Sequence, residues 1–572
     1  MTKERILVLG GGFAGMFAAK ELKRRLRDRA EIELINEQNY FVFQPILPEV
    51  AAGSITAPRA VTPLRFLLEG VHVRKAVVHA VDFERQVVTI FQGIQRRPTE
   101  IAYDHLIVAL GQTTDLSRMP GMPEHAMTMK TLEDARRLRA HVIEKLEHAD
   151  ISQVPEVKRD ALTFCVVGAG FSGIETVGEM KELIDRSLGY YPNIEPSEIR
   201  VIVVEFLDKV LPELPASLGD YAASKLQERG IELKLGTGVA SATAKALTTS
   251  TGEVIGTHTI VATIGSAPSP VVRGMALELE HGRIAVDRTL RAEGHENVWS
   301  LGDCALIPMK EGANERTDFA PPTAQFAVRE ARHLAANIAA VIAGKPLQPF
   351  AYKSRGSLAS LGAKRGVAEV FGYKIAGFPA WFLWRTYYVG FLPGVWTRIG
   401  VMVNWTLDML TPRSIVQIAT TEPPSTRYAL FRAGDAIFEE GTRADGLYSV
   451  ISGTVELSRA DPETGARETR LVKPGELFGA RLLTGETLRS TAAIALEDTR
   501  VLLVEAEDVL KIADGFRGAR EGLTAPRHER VQRVYGAYTD KTDAVDIPER
   551  LRGSLLGAGK ESDAEWHARA TE

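Results

Sequence analysis

One local pattern occurs twice in this chain and limits its fold more than any other feature. Ile6-Leu7-Val8-Leu9 is an apolar run of buried-strand type, Gly10-Gly11-Gly12-Phe13-Ala14-Gly15 follows it, and a helical stretch runs on to about Arg27. In such a strand–turn–helix unit Gly10 makes the tight turn, Gly12 lets the backbone approach a pyrophosphate, and Gly15 lets helix and strand pack closely. Phe13 and Ala14 lie at the helix start, where backbone amides and the positive dipole end attract phosphate. The second copy is Phe164-Cys165-Val166-Val167, then Gly168-Ala169-Gly170-Phe171-Ser172-Gly173 and a helix through Leu183. Each copy leads to a further strand, Glu31 to Ile35 and Val201 to Val204. Glu205 closes the second; in the first, Asn36 or Glu37 stands where a ribose hydroxyl is held. An acid there favours a free ribose diol over a 2′-phosphate, so NADH is expected rather than NADPH. The fold class that follows is α/β, with two Rossmann-type domains, one for a tightly held flavin and one for a nicotinamide dinucleotide.

A chain of 572 residues is too long for one core, so several domains are expected. With 45% hydrophobic and 25% charged residues it is globular in composition, and a net charge of −4 gives no polycationic signature for nucleic acid. Two cysteines, Cys165 and Cys304, cannot build a disulfide framework or a thiolate metal site, and no metal is expected. There is no secretory pattern at the start and no run of about 18 uninterrupted apolar residues. The expectation is a protein that is soluble or attached to a membrane from one side.

Further segments carry a family resemblance. Tyr103-Asp104-His105-Leu106-Ile107-Val108-Ala109-Leu110-Gly111 and Thr259-Ile260-Val261-Ala262-Thr263-Ile264-Gly265 resemble strand-and-glycine segments of two-dinucleotide flavoprotein reductases. Val298-Trp299-Ser300-Leu301-Gly302-Asp303 resembles their second flavin motif, which implies that Asp303 binds the ribityl chain. Asn39-Tyr40-Phe41-Val42-Phe43-Gln44-Pro45 and Pro321-Pro322-Thr323-Ala324-Gln325-Phe326-Ala327 narrow the resemblance to type II NADH:quinone oxidoreductases, single-subunit dehydrogenases that do not pump protons. Gly356 to Ala359 and Val403 to Trp405 extend it, so that it spans about 410 residues. The resemblance implies FAD and NADH as cofactors, ubiquinone or menaquinone as acceptor, a homodimer, and a peripheral position on the cytoplasmic face of the inner (plasma) membrane.

Two residues stand out for chemistry. Glu175 matches a family glutamate between nicotinamide and flavin, and is expected to position NADH or transfer a proton; its plainer reading is a first-turn acid stabilising the helix dipole. Gln325 is expected to donate to a quinone carbonyl, or else only to tie down local backbone. Glu179, one turn beyond Glu175, resembles a family position or packs at a domain interface. Two departures are visible. Asn36 stands where the family has an acid, which passes the ribose contact to Glu37, and Arg329-Glu330 replaces a frequent second glutamine, which suggests a changed quinone preference. No cysteine lies between residues 30 and 60. Disulfide reductases and related peroxidases are thereby excluded, and two inert buried thiols leave nothing for a sulfide-oxidising neighbour.

Trp381, Trp384, Trp396 and Trp405 are four of six tryptophans, and Phe382, Tyr387, Tyr388, Phe391 and several arginines accompany them. Aromatics at headgroup level and arginines toward anionic lipid suit an interfacial helix pair broken at Gly390, Pro393 and Gly394. An aromatic core or dimer seam is the competing reading. Beyond the breaker-rich Glu422-Pro423-Pro424-Ser425, short strands and regular turns predict a small β-barrel or jelly roll. This part resembles cyclic-nucleotide-binding domains: Gly475 to Ala480 is similar to the phosphate cassette, which implies phosphate contacts from Gly479 and Arg489, but Ala480 replaces the ribose-gripping glutamate.

The expected domains are 1–115 with 285–345 for FAD, 161–270 for NADH, 346–420 for membrane and quinone, 425–515 for the nucleotide-like module and 516–572 as a charged, mobile tail. The expected function is NADH:quinone oxidoreduction with a regulatory appendage. Two alternatives stay open: a soluble NADH-dependent flavin reductase or oxidase, and an NADH-linked redox-sensing signalling protein.

Overall fold

The computed structural model describes residues 3–93, 97–417, 426–442, 444–460, 467–480, 489–506 and 508–509. The expected tail at 516–572 and the breaker-rich linker lie outside them. The chain divides into two units: one holds the chain up to Met119, Ala126–Ala240 and the described residues from Leu247 to 417, the other Pro120–His125, Ser241–Ala246 and the described residues beyond 425.

In the first unit, Glu4–Leu9 pairs in parallel with Ala30–Asn36 and with His105–Val108. His72–Asp82 and Val298–Ser300 continue this parallel sheet on either side, and Val87–Gln92 and Arg97–Ala102 complete seven strands with antiparallel pairings. The central strands are apolar almost throughout because a parallel sheet is covered on both faces. Helix α1 (Phe13–Leu26) buries Phe13, Ala14, Met16, Ala18, Ala19 and Leu22. A second, five-stranded parallel sheet runs in the order Ala126–Thr128, Thr259–Ala262, Thr163–Val167, Arg200–Val204, Ile231–Lys234. Its first strand comes before residue 161.

The helices that matter for the site are α2 (Leu47–Ala51), α3 (Leu132–Ile151), α4 (Phe171–Ser187) and α5 (Ala324–Ile342). Thr131 caps α3 by accepting from Asp134 N at 3.0 Å, a capping box completed by the Asp134 carboxylate. Gly356–Gly362, Arg365–Val370 and Tyr373–Gly377 form an antiparallel meander, and α6 (Phe378–Phe391) and α7 (Val395–Leu410) follow it. Gly390, expected to break the segment, lies inside α6; the chain turns at Leu392–Gly394, where Gly394 takes φ +90°.

The tryptophan-rich pair corrects the sequence reading. Trp381, Trp384 and Trp405 are 5%, 1% and 6% exposed, so three of the four tryptophans belong to the interior; Trp396 alone of these, at 74%, faces outward. The outward stripe is instead largely aliphatic. Trp396, Ile399, Val403, Leu407 and Leu410 recur at helical spacing on the exposed face of α7, opposite Val401 and Trp405. Phe378 and Phe382 do the same on α6. Among the described residues no helix is long and apolar enough to cross a membrane.

The described residues of the second unit form two four-stranded antiparallel sheets. One is ordered Thr426–Phe431, Thr499–Glu505, Gly446–Ser452, Leu477–Phe478; the other Ala436–Phe438, Ala492–Ala495, Val455–Ala460, Arg467–Val472. Phe431, Phe438, Tyr448, Val450, Phe478 and Leu503 belong to its core.

Candidate active site

The C-terminal ends of the parallel strands border a cavity of about 700 Å³ in the first unit. Open α/β sheets bind ligands at such ends, whereas a smaller cavity of about 380 Å³, near Lys3, Arg5 and Glu31, lies where the first strands begin. Gly10, Gly12, Phe13, Ala14, Asn36, Glu37, Gln44, Gly111, Gly302, Asp303, Ala324 and Gln325 all line the larger cavity. Gly15 does not. A side chain there would strike the carbonyl of Gly10, so its role is helix–strand closeness.

The first glycine turn fits a dinucleotide. Gly10 has φ +106°, and a Cβ built on Gly12 would meet nothing within 4 Å, which leaves an open cradle at the start of α1. Gly302, at φ +74°, presses against the Ala14 methyl, bringing the second flavin motif onto the first turn. Gly302 N donates to Glu330 Oε2 at 2.9 Å. Burial lifts Glu330 to about 8, so at neutral pH this acid keeps its proton. Burial also raises Asp303, with Lys130 pulling the other way. Asn36 does not reach outward: its Oδ1 accepts from Gly11 N at 2.8 Å and its Nδ2 donates to Gln38 O at 2.8 Å.

The second turn repeats this geometry with a charge. Gly168 has φ +105°, Gly173 is jammed against the carbonyl of Gly168, and Glu205 Oε2 accepts from Ala169 N at 2.6 Å. Only Phe171, Ser172 and Glu175 of this copy line the cavity; Gly168, Gly170, Gly173, Glu205 and Gly265 stand away from its wall.

Glu175 is buried in α4. Its Oε1 accepts from Trp384 Nε1 at 2.8 Å and from Ser360 N at 3.1 Å, and burial pushes its carboxyl up to about 8. The carboxyl is therefore protonated at neutral pH and is more than a first-turn dipole partner. Gln325 Oε1 accepts from Ser354 Oγ at 3.2 Å, Tyr387 hydrogen-bonds the same side chain, and Arg329 Nη1 donates to its backbone carbonyl at 3.1 Å. Arg329 also lies over the rings of Tyr352 and Phe391.

Tyr387, Tyr388, Phe391, Leu358 and Lys130 line the cavity without having been picked out as site residues from sequence. The α6 aromatics stand out in the sequence, where their type suits a membrane face or an aromatic core. Lys130 carried no local signal. Both cysteines are buried, burial drives Cys165 up to about 12 and raises Cys304, and neither lines the cavity. Among the described residues no cluster of three or more His, Cys, Asp or Glu could hold a metal.

In the second unit Arg489 and Gly479 come together. Arg489 Nη1 donates to Gly479 O at 3.2 Å, and its Nη2 reaches Gly446 O at 2.8 Å and Asp445 Oδ1 at 2.5 Å. The guanidinium stacks on Phe438.

Two glycine-turn domains around one cavity define a flavoprotein of the two-dinucleotide reductase class, and the pyridine nucleotide-disulphide oxidoreductase family matches residues 4–331. The NDH2 C-terminal domain matches residues 354–414 and the cyclic nucleotide-binding domain residues 429–515. A type II NADH:quinone oxidoreductase of Mycobacterium tuberculosis is 33% identical over 427 residues, covering 72% of this chain and 89% of that protein. One from Staphylococcus epidermidis is 32% identical over 386 residues, covering 67% and 93%. The chain belongs to the type II NADH:quinone oxidoreductases, with FAD and NADH as its cofactors. Its fold matches NDH2 from Plasmodium falciparum solved with NADH, at TM-score 0.66 and 19% identity, covering 73% of this chain and 100% of that one.

Proposed function

We propose that this chain oxidises NADH and reduces a membrane quinone, without pumping protons, while resting on the cytoplasmic surface of the inner membrane. The observation that carries the reading is one cavity bordered by both glycine-turn units, Gln325 and the α6 aromatics, with no thiol among its lining residues.

FAD, when bound, would supply the hydride acceptor and the electron donor, and the protein supplies binding, orientation and protons. Gly10, Gly12, Phe13, Ala14 and Gly111 hold its pyrophosphate side, Asp303 its ribityl chain, and Gln44 and Ala324 its flanks. Because Asn36 is spent on the turn, Glu37 takes the ribose diol. Gly168, Gly170, Phe171, Ser172, Gly173, Glu205 and Gly265 hold NADH. Glu175, held protonated, gives a proton on the quinone side. Gln325 has an amide N–H to offer a quinone carbonyl, while Ser354 occupies its oxygen and Tyr387 also bonds the side chain.

The aliphatic stripe of α7 and the phenylalanines of α6 dock on lipid, which lets an apolar quinone enter beside Tyr387 and Phe391. The second unit is a regulatory module whose Gly479 and Arg489 meet a cyclic nucleotide phosphate; Ala480 leaves the ribose without its usual acid.

The test is NADH oxidation by purified full-length protein with a quinone analogue, ferricyanide and oxygen. Turnover with quinone well above that with oxygen is expected. Equal rates with oxygen would point to a soluble oxidase, and one flavin reduction without turnover to a sensor.

A further inference from the structure

Behind Glu175 lies a second buried acid that the reaction as described does not use. Glu49, on α2, is 2% exposed. Both its oxygens accept from Trp405 Nε1, at 3.0 and 3.1 Å, and its Oε1 pairs with Arg385 Nη2 at 3.0 Å. Arg385 follows Trp384 in α6, so adjacent residues of one helix grip the two acids. The acids also sense each other, because charge on Glu49 strengthens the hold of Glu175 on its proton.

We propose that Glu49 is a positioning residue for proton delivery, holding a proton in reserve behind Glu175 and returning one to it after each quinone reduction. The inference rests on the reading of Glu175 given above.

Its basis is the arrangement of charge. Facing Glu49 are Arg385 on α6 and Glu175 and Glu179 on α4; Arg139 on α3 and, past α7, Arg413 stand at the edge of the cluster. Arg385 bonds Glu49, and Arg413 lies 3.8 Å from Glu179, while Glu175 is bonded by a peptide N–H and an indole N–H. Repelling carboxylates in one dry site do not all ionise together, so the group retains a proton. Burial lifts Glu49 to about 7 against the pull of Arg385, which makes it able to lose and regain a proton near neutrality. Arg385 Nε and Thr176 Oγ1, the latter next to Glu175 in α4, are buried polar atoms without a hydrogen-bond partner among the described residues. Of the two, only the Thr176 hydroxyl can both accept and donate a proton, since a guanidinium N–H has no acceptor lone pair. Toward the surface, Arg413 bonds Asp408, and Asp408 pairs with the partly exposed Arg186.

The balance closes. NADH loses a hydride, which carries two electrons, and the quinone gains two electrons and two protons. One proton comes with the hydride. For the other, an O–H bond at Glu175 breaks as one forms on the quinone oxygen. An O–H bond at Glu49 then breaks as Glu175 is reprotonated, and Glu49 takes a proton from water.

The test compares Glu49→Gln, Glu49→Asp and Glu175→Gln in the flavin-loaded protein. Stopped-flow absorbance separates flavin reduction by NADH from reoxidation by a quinone analogue, and infrared difference spectra report protonated carboxyls. For Glu49→Gln, unchanged reduction is expected, with reoxidation about tenfold slower, the low end of what acid–base groups contribute. The pH-dependent limb near neutrality and one carboxyl band should disappear, and Glu49→Asp should bring back both, with the limb at a shifted pH. A wild-type pH profile of reoxidation with unaltered carboxyl bands in Glu49→Gln would overturn the proposal. If Glu49→Gln fails to retain flavin, an unshifted limb in Glu49→Asp overturns it and a shifted limb supports it. If Glu175→Gln reoxidises at the wild-type rate, the reading of Glu175 itself fails.

Discussion

The two glycine turns have nearly the same backbone and present themselves to the cavity very differently. Gly10 and Gly168 share a φ of +106° and +105°, and in each copy the residue ending the second strand accepts a hydrogen bond from the middle of the turn. The first turn does this with a neutral amide, Asn36, and places Gly12, Phe13 and Ala14 on the cavity wall. The second uses an anion, Glu205, and offers the cavity only the start of α4. On the function proposed above, one local motif serves both a cofactor that stays and a dinucleotide that leaves at every turnover.

The strongest way to break this contrast is to crowd each turn in the same manner. Gly12→Val puts a branched side chain into the cradle, and flavin absorbance should be lost on gel filtration along with activity. Gly170→Val should retain flavin and raise KM for NADH about tenfold, roughly 1.4 kcal/mol. Equal flavin loss in both would erase the distinction. A milder probe is Glu205→Gln, which removes the charge and one of two acceptor oxygens, since Glu205 Oε1 also accepts from Leu207 N at 2.8 Å. A rise in KM for NADH of about fivefold is expected, within the range for a bond to a charged group, with weaker discrimination against NADPH. Unchanged discrimination would mean that Glu205 only braces the turn. The smallest effect belongs to Asn36→Ala. It orphans Gly11 N–H at a cost of about 1 kcal/mol, which thermal unfolding would register without a change in KM for NADH.

Legibility followed the range of the determining interaction. The turns could be read because Gly10, Gly12 and Gly15 act within one strand and helix. Gln325 and Asp303 were found through short segments that keep their neighbours together, and both line the cavity. Sequence leaves open whether the tryptophans face lipid or core because the partners of the buried ones are remote: Trp384 bonds a carboxylate 209 positions away and Trp405 one 356 positions away. Composition could mark an amphipathic helix pair but could not say which face carried the indoles. Glu49, within an apolar run, gave no sign of its surroundings. Nor could local pattern show that Pro120–His125 and Ser241–Ala246 join the second unit.

The bond from Trp384 to Glu175 has a meaning for descent as well as for chemistry. An indole N–H donates to the acid without supplying charge, so Glu175 keeps its proton. A lysine arising at position 384 would be the smaller side chain yet form an ion pair, and the acid would ionise. A lineage that exchanged this tryptophan for a cation would need a different source for the proton, however little its core had moved.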